Sequence, residues 1–238
     1  MKNPAAGGGH WVDVAPGRLA GWIEGFAARH GGIVSVRGAR SARGGTALVT
    51  FVAADGSLAE CHPPFPPLSS VSPVSPVSTA DAEAIAAHAL RARIVGVLLV
   101  RLGGYAVGVF SGSPPVLRAS KTGSRPVHGR SAAGGWSQHR FARRREKQVS
   151  EALGAAADAA VKILSEAAPL DAVVLGGDRR AIDALRDDTR LAPYLARAEE
   201  RFLTVPDPKL SVLRDTPRIW SAIRIRVVEP PHQPTSSS

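Results

Sequence analysis

Apolar positions recur at helical spacing from Leu19 through Trp22, Ile23 and Phe26 to Ala27. Pro16 before them and Gly31-Gly32 after them predict the limits of a first helix. Ile33, Val34 and Val36 suggest a short strand, and Leu48 to Val52 a stronger one. Asp55-Gly56 reads as a hairpin turn that returns through Leu58 to Cys61. Ser78 and Asp81 fit a capping pattern for a helix ending near Arg91. The clearest sheet signal follows. Ile94 to Leu102 is strand-like, Gly103-Gly104 a turn, Tyr105 to Phe110 a second strand and Val116 to Ser120 a third extended stretch. Residues 121–139 hold no apolar periodicity and predict a long exposed loop, which in a compact domain is usually functional or disordered. Val149, Ala152, Leu153, Ala156, Ala160, Ile163, Leu164 and Ala167 then form one stripe of a long helix over Phe141 to Ala167. Asp171 to Leu175 reads as a buried strand ended by Gly176-Gly177, with a helix over Arg179 to Arg186, a short helix in 190–201 and a last strand over Ile219 to Val228.

The domain organisation expected from this pattern has four parts. Residues 1–62 form a small N-terminal α+β unit whose first ten residues are a loose leader. The Pro- and Ser-rich residues 63–78 are an extended linker, since proline cannot donate to a sheet ladder. Residues 79–230 form an α/β domain with a mixed sheet and flanking helices, and 231–238 are a disordered tail. A chain of 238 residues with 44% hydrophobic content is long enough for a well-buried core and excludes a disordered class. The single cysteine, Cys61, excludes a disulfide framework and a Cys-based zinc site. The longest apolar run, Ile94 to Val100, is too short to span a bilayer, so the expectation is a cytoplasmic chain without a membrane partner.

Charge changes the picture. Lys plus Arg number 30 against 20 acids, a formal +10, which favours a polyanionic partner. Between 118 and 147 stand nine basic residues (Arg118, Lys121, Arg125, Arg130, Arg140, Arg143, Arg144, Arg145 and Lys147) against Glu146 alone, so +8 of the +10 lies within thirty residues. A uniform compositional bias towards Arg would spread that charge. Cations near a helix start are disfavoured by its dipole, so their crowding there makes sense if phosphates neutralise them. A solvated basic face is the plain alternative.

Within the segment, Gly134-Gly135 lets the backbone approach a partner closely, and Trp136 offers a stacking plane. Gln138 does not titrate, so it is no general base, but it can orient a water or shape a pocket by donating and accepting hydrogen bonds. A small-residue loop tipped by Gln138 and rimmed by Arg makes a poor nuclease and a reasonable probe for an RNA cavity.

His128-Gly129-Arg130, then Gly134-Gly135, then Arg140-Phe141-Ala142-Arg143 resembles the catalytic loop of the eukaryotic and archaeal class-I peptide-chain release factors. The amide stands two residues later than in those proteins, with Trp136 and Ser137 between. That Gly-Gly-x-x-Gln spacing resembles the Vms-type release factors of ribosome quality control and their actinobacterial relatives, over about residues 94–228. The resemblance implies a ribonuclease-H-like catalytic domain and hydrolysis of peptidyl-tRNA in the peptidyl-transferase centre. Gln138 would place a water against the ester carbonyl carbon, carried by a loop of Gly134, Gly135, Trp136 and Ser137. Lys121, Arg125, His128, Arg130, His139, Arg140, Arg143, Arg144, Arg145 and Lys147 would dock RNA. The expected partners are the large ribosomal subunit, its rRNA and the CCA end of peptidyl-tRNA. The chain would act as a monomer with no metal and no cofactor. No Asn-Ile-Lys-Ser string is found and the length leaves no room for three full domains, so the implied action is codon-independent, on stalled or split ribosomes.

Two other classes compete. A non-catalytic rRNA- or tRNA-binding protein needs the basic loop but not Gln138. A metal-dependent nuclease needs converging carboxylates, for which Asp171 and Asp178 flank one strand while the first strand of the domain carries no acid. Gly176-Gly177-Asp178 reads as a strand-to-helix turn, and Trp22, Phe26 and Trp220 as packing.

Overall fold

The computed structural model describes residues 3–40, 46–68, 79–101, 103–124, 137–167 and 169–230, with the backbone alone for 40, 46, 79, 80 and 137–146. In chain order the elements are strands β1 (Asn3–Pro4) and β2 (His10–Val14), helix α1 (Leu19–Arg29), strands β3 (Ile33–Arg40), β4 (Thr46–Ala53) and β5 (Leu58–His62), and helix α2 (Thr79–Ala89). Strands β6 (Arg93–Arg101), β7 (Gly104–Gly112) and β8 (Val116–Ser124), helix α3 (Ser137–Ser165) and strand β9 (Ala172–Gly177) follow. Helices α4 (Arg179–Leu185), α5 (Ala192–Leu195), α6 (Leu210–Asp215) and α7 (Pro217–Trp220) and strand β10 (Ile223–Val228) complete it. Contacts divide the chain into Met1–Arg91 with Ser221–Ser238, and Ala92–Trp220.

The first unit is a six-stranded antiparallel sheet in the order β1-β2-β10-β5-β4-β3. Alternation sends one set of side chains to the core: Val49 and Phe51 of β4, Ala59 and Cys61 of β5, and Ile223 and Ile225 of β10 are each at most 1% exposed. Leu19, Ile23 and Phe26, at helical spacing on α1, and Ala82 and Ile85 on α2 join the same cluster. Burial pushes the Cys61 thiol far above its ordinary range, which makes it a small apolar core residue with little thiolate. The β4–β5 hairpin turns where expected. Asp55 accepts the Ser57 N–H at 2.8 Å and meets His30 Nδ1 at 2.8 Å, tying the turn to the residue after α1.

The second unit is a mixed sheet in the order β8-β7-β6-β9, in which β6–β7 and β7–β8 are antiparallel and β6–β9 parallel. A parallel pair needs a crossover, and α3 supplies it. Strands β6 and β9 are apolar without alternation because both their faces are buried. Leu98, Val107 and Val109 of the sheet pack against Ala156, Ala160, Ile163 and Leu164 of α3. Gly177 closes β9 at φ +101°, where a Cβ would collide with the Val100 carbonyl oxygen. That oxygen also accepts the Asp178 N–H at 2.7 Å. Gly177→Ala combines a strained φ with a backbone clash. It is expected to cost about 2–3 kcal/mol, read as a lower urea midpoint at unchanged m-value.

The fold class expected from the sequence, a mixed sheet with flanking helices beside a smaller α+β unit, is the one observed, but several boundaries differ. The leader expected over residues 1–10 instead carries β1 and the first residue of β2, His10, which pairs with Val227 of β10, more than two hundred residues away in sequence. The expected division at 62 and 79 does not match the contacts: α2 and β10 both belong to the first unit. The proposed linker begins inside a core, with Pro63, Pro64 and Leu68 buried; its residues 69–78 and the tail 231–238 lie outside the described residues. The last strand starts at Ile223 rather than 219, since residues 217–220 close a helical turn in which the Trp220 indole donates to Thr216 Oγ1 at 3.3 Å. The helix expected in 190–201 shrinks to a 3-10 turn, Thr189–Leu191, and the four-residue α5. Among the described residues no helix is long and apolar enough to cross a membrane.

Candidate functional site

Helix α3 has two halves with different reasons to be helical. From Leu153 onward its apolar stripe is buried on the sheet. Its first ten residues have no such stripe, yet the backbone is helical from Ser137. The start expected at Phe141 is therefore four residues late, because a stripe marks where a helix touches a core rather than where it begins. With 29 residues, α3 is about 43 Å long, whereas the nine residues of β7 span about 30 Å. Leu164 lies against Gly96 near the start of β6 and Val149 lines a cleft with Arg101 at its end, so the residues before Val149 run past the sheet.

Ser137, Gln138, His139 and Arg140 lie in the first turn of α3, and Arg143, Arg144 and Arg145 in its second and third. This corrects the charge argument. A helix dipole acts mainly within the first turn, so Arg140 alone feels it strongly, and the following three arginines bear little of that penalty. Arg125, His128, Arg130, Gly134, Gly135 and Trp136 lie outside the described residues. Lys147 is 79% exposed and sits 4.0 Å from Glu151, a surface pair of small energetic weight. Lys121 is exposed on β8 opposite Val107. Since Val107 packs towards α3, Lys121 shares that face.

The base of α3 is braced. Arg190 meets Asp158 of α3 at 2.9 Å and Asp188 at 2.7 Å. Its hydrogen bonds hold the Asp188 carboxyl below the usual carboxylate range. Asp188 also accepts the Arg190 N–H, capping the 3-10 turn that follows α4.

At the carboxyl ends of β6 and β9 the second unit opens into a cleft of about 510 Å³. Val149, Ala152 and Leu153 of α3 form one wall, and Ala181 and Ala184 of α4 another. Tyr105 of β7 and Gly123 of β8 line the strand side. Tyr105 lies so close over the Gly123 backbone that a Cβ there would come within 2.5 Å of its ring. Arg101, Arg180 and Asp178 supply the charged groups. Arg101 donates to the Val205 carbonyl at 2.9 Å. Asp178 Oδ1 accepts the Arg180 N–H at 2.9 Å as the N-cap of α4, so Gly176-Gly177-Asp178 is the strand-to-helix turn that its spacing suggested. Of the cleft's side chains the sequence points only to Asp178, and that as a candidate nuclease carboxylate rather than as part of a cleft. The available signal was that two Gly pairs, 103–104 and 176–177, end strands that a crossover makes parallel.

The carboxylates of the nuclease reading do not converge. Asp171 accepts the Ile94 N–H at 2.6 Å at one end of β9, and Asp178 caps α4 at the other, on the order of 20 Å away along the strand. Among the described residues no three His, Cys, Asp or Glu side chains gather as metal ligands.

The longest helix of this mixed α/β unit thus carries Gln138 and four arginines in its first three turns. The model of the Actinobacteria/chloroflexi VLRF1 release factor family matches residues 93–226, more than half of the chain. The chain belongs to that family. No curated protein matches it. Among solved structures it is similar to the "Vms1 mitochondrial localization core", at 13% identity over 74% of this chain and 75% of that one, with a TM-score of 0.38. It is also similar to the archaeal translation termination factor aRF1, at 14% identity over 72% of this chain and 50% of that one, with a TM-score of 0.37. It thus spans half the length of the archaeal factor, and the family assignment rests on the sequence match.

Proposed function

We propose that this protein is a codon-independent release factor that hydrolyses the ester of peptidyl-tRNA in the peptidyl-transferase centre of stalled or split ribosomes. One observation carries the reading: Gln138 and Arg140-Phe141-Ala142-Arg143 fall on the projecting amino end of α3, inside the region that matches the release-factor family. In this reading the basic residues from Lys121 to Lys147 dock on rRNA and tRNA phosphates. The segment Gly134 to Ser137 enters beside the CCA end, and Gln138 holds a water against the ester carbonyl carbon. The water oxygen bonds to that carbon, the bond to the ribose oxygen breaks, and the water proton ends on the ribose oxygen through the neighbouring hydroxyl. The products are a free peptide carboxyl and deacylated tRNA. Holding a nucleophile in register within a water-poor cavity supplies up to ~7–11 kcal/mol in well-oriented systems, so no titrating side chain is required of the protein.

The test is a release assay on isolated large subunits carrying peptidyl-tRNA and no message. Free peptide should accumulate with time in proportion to added protein. Subunits that bind the protein and keep every nascent chain esterified would instead support a non-catalytic ribosome-binding role.

A further inference from the structure

The cleft beside α3 has no part in the chemistry just proposed. From Gln138 to Val149, its nearest lining residue on α3, is eleven residues, an axial rise of about 17 Å. An ester held at Gln138 therefore cannot reach it. Its volume, about 510 Å³, lies within the range of built ligand sites. The lining is chiefly apolar, with an aromatic ring, two guanidinium groups and one carboxylate.

We infer that this cleft receives one unstacked base of the ribosomal RNA, between the ring of Tyr105 and the Val149–Leu153 wall of α3, with Arg180 meeting the adjoining phosphate. The inference rests on the proposed function, because that reading makes RNA the partner. Three features favour a base over an apolar protein side chain. A cleft lined by one aromatic ring and the small side chains of Ala152, Ala181 and Ala184 has room for a planar heterocycle, and stacking on an aromatic side chain is the usual hold on a single-stranded base. Arg180 is exposed at the rim beside Asp178, and the same face of the sheet carries Lys121, so positive charge borders the opening where a backbone must pass. Asp178 uses Oδ1 to cap α4 and lines the cleft, where a carboxylate accepts from a base's exocyclic amine or ring N–H, groups an apolar side chain lacks. Stacking strength sets the preference among bases, so adenine, with the larger ring system, is held more tightly than uracil.

The experiment uses the full chain and end-labelled single-stranded RNA decamers, all-adenosine and all-uridine, titrated at one ionic strength. Ala152→Phe fills the slot with apolar volume at a helical position. The native chain should bind the adenosine decamer about tenfold more tightly. Ala152→Phe should erase that preference while keeping the melting temperature and the salt dependence. Equal affinity for both decamers, or a preference that Ala152→Phe leaves intact, overturns the assignment. So does a variant that weakens binding to whole subunits but not to protein-free rRNA, which would give the cleft to a protein side chain. Failure of the release reading looks different: large subunits that bind the native protein and keep every nascent chain esterified would remove the hydrolytic role while the base preference stood.

Discussion

Gln138→Ala is expected to abolish peptide release, by about 10²-fold or more in rate, while leaving the affinity for large subunits within twofold. The reasoning is geometric. Gln138 lies in the first turn of α3, where the orientation of its backbone is fixed by a helix braced on the sheet by Arg190 and by the Ala156–Leu164 stripe. A side chain three bonds longer than alanine, set on that support, can hold a water within a narrow arc. Alanine in the same turn is the best helix former, so the truncation should not loosen the helix, and lost activity would report the amide itself. The companion variant Gln138→Glu separates two roles. A carboxylate accepts but does not donate and would carry charge into a phosphate-rich cavity, so it should be as inactive as alanine and should also bind less tightly. Measured side by side, single-turnover release and subunit affinity check both statements. An alanine variant that releases peptide at the native rate would sink the proposed role of the amide.

The parts of the fold written locally were legible in the sequence. The α1 stripe of Leu19, Ile23 and Phe26, the Asp55-Gly56 hairpin, the β6–β7 pair and the α3 stripe depend on neighbours within a few residues, and each stands near its expected place. What was not legible is non-local. Strand β2 exists because β10 lies beside it, with Ile223 opposite Val14 and Arg226 opposite Trp11. Read alone, a Gly-rich run followed by Trp-Val-Asp-Val is too short to rank as a strand. Strand β10, in turn, pairs with β2 and β5 in the sheet interior, so the carboxyl end of the family-matched region completes the first unit. A linear division into consecutive domains cannot express that. The basic tip and Gln138 stood out because their charge and small residues break the surrounding pattern. The cleft did not, since Tyr105, Val149, Ala152 and Leu153 each read as ordinary core and become a site only when the crossover helix sets them around the strand ends.

Replacing Arg143, Arg144 and Arg145 together by Glu should weaken subunit binding by about 10³-fold near 0.1 M salt, with little change in thermal stability. The three stand in the second and third turns of α3, ahead of the buried stripe that starts at Leu153, and their charges supply three of the +8 concentrated between 118 and 147. Each basic residue that neutralises a phosphate releases a condensed counterion, and the logarithm of the binding constant falls against the logarithm of salt by roughly 0.7–0.9 per contact. If five or six contacts form, the native protein should lose about 10²–10³-fold in affinity between roughly 50 and 200 mM salt. Removing three of them should flatten the slope by about two to three. Reversal to Glu adds repulsion from the same phosphates. It should act little through the fold, because Glu and Arg have similar helix propensity. The slope distinguishes phosphate docking from a merely solvated basic face. In the latter case, salt titrations of native and triple-variant proteins against large subunits would run parallel, and the clustering of charge around the amino end of α3 would have no electrostatic partner.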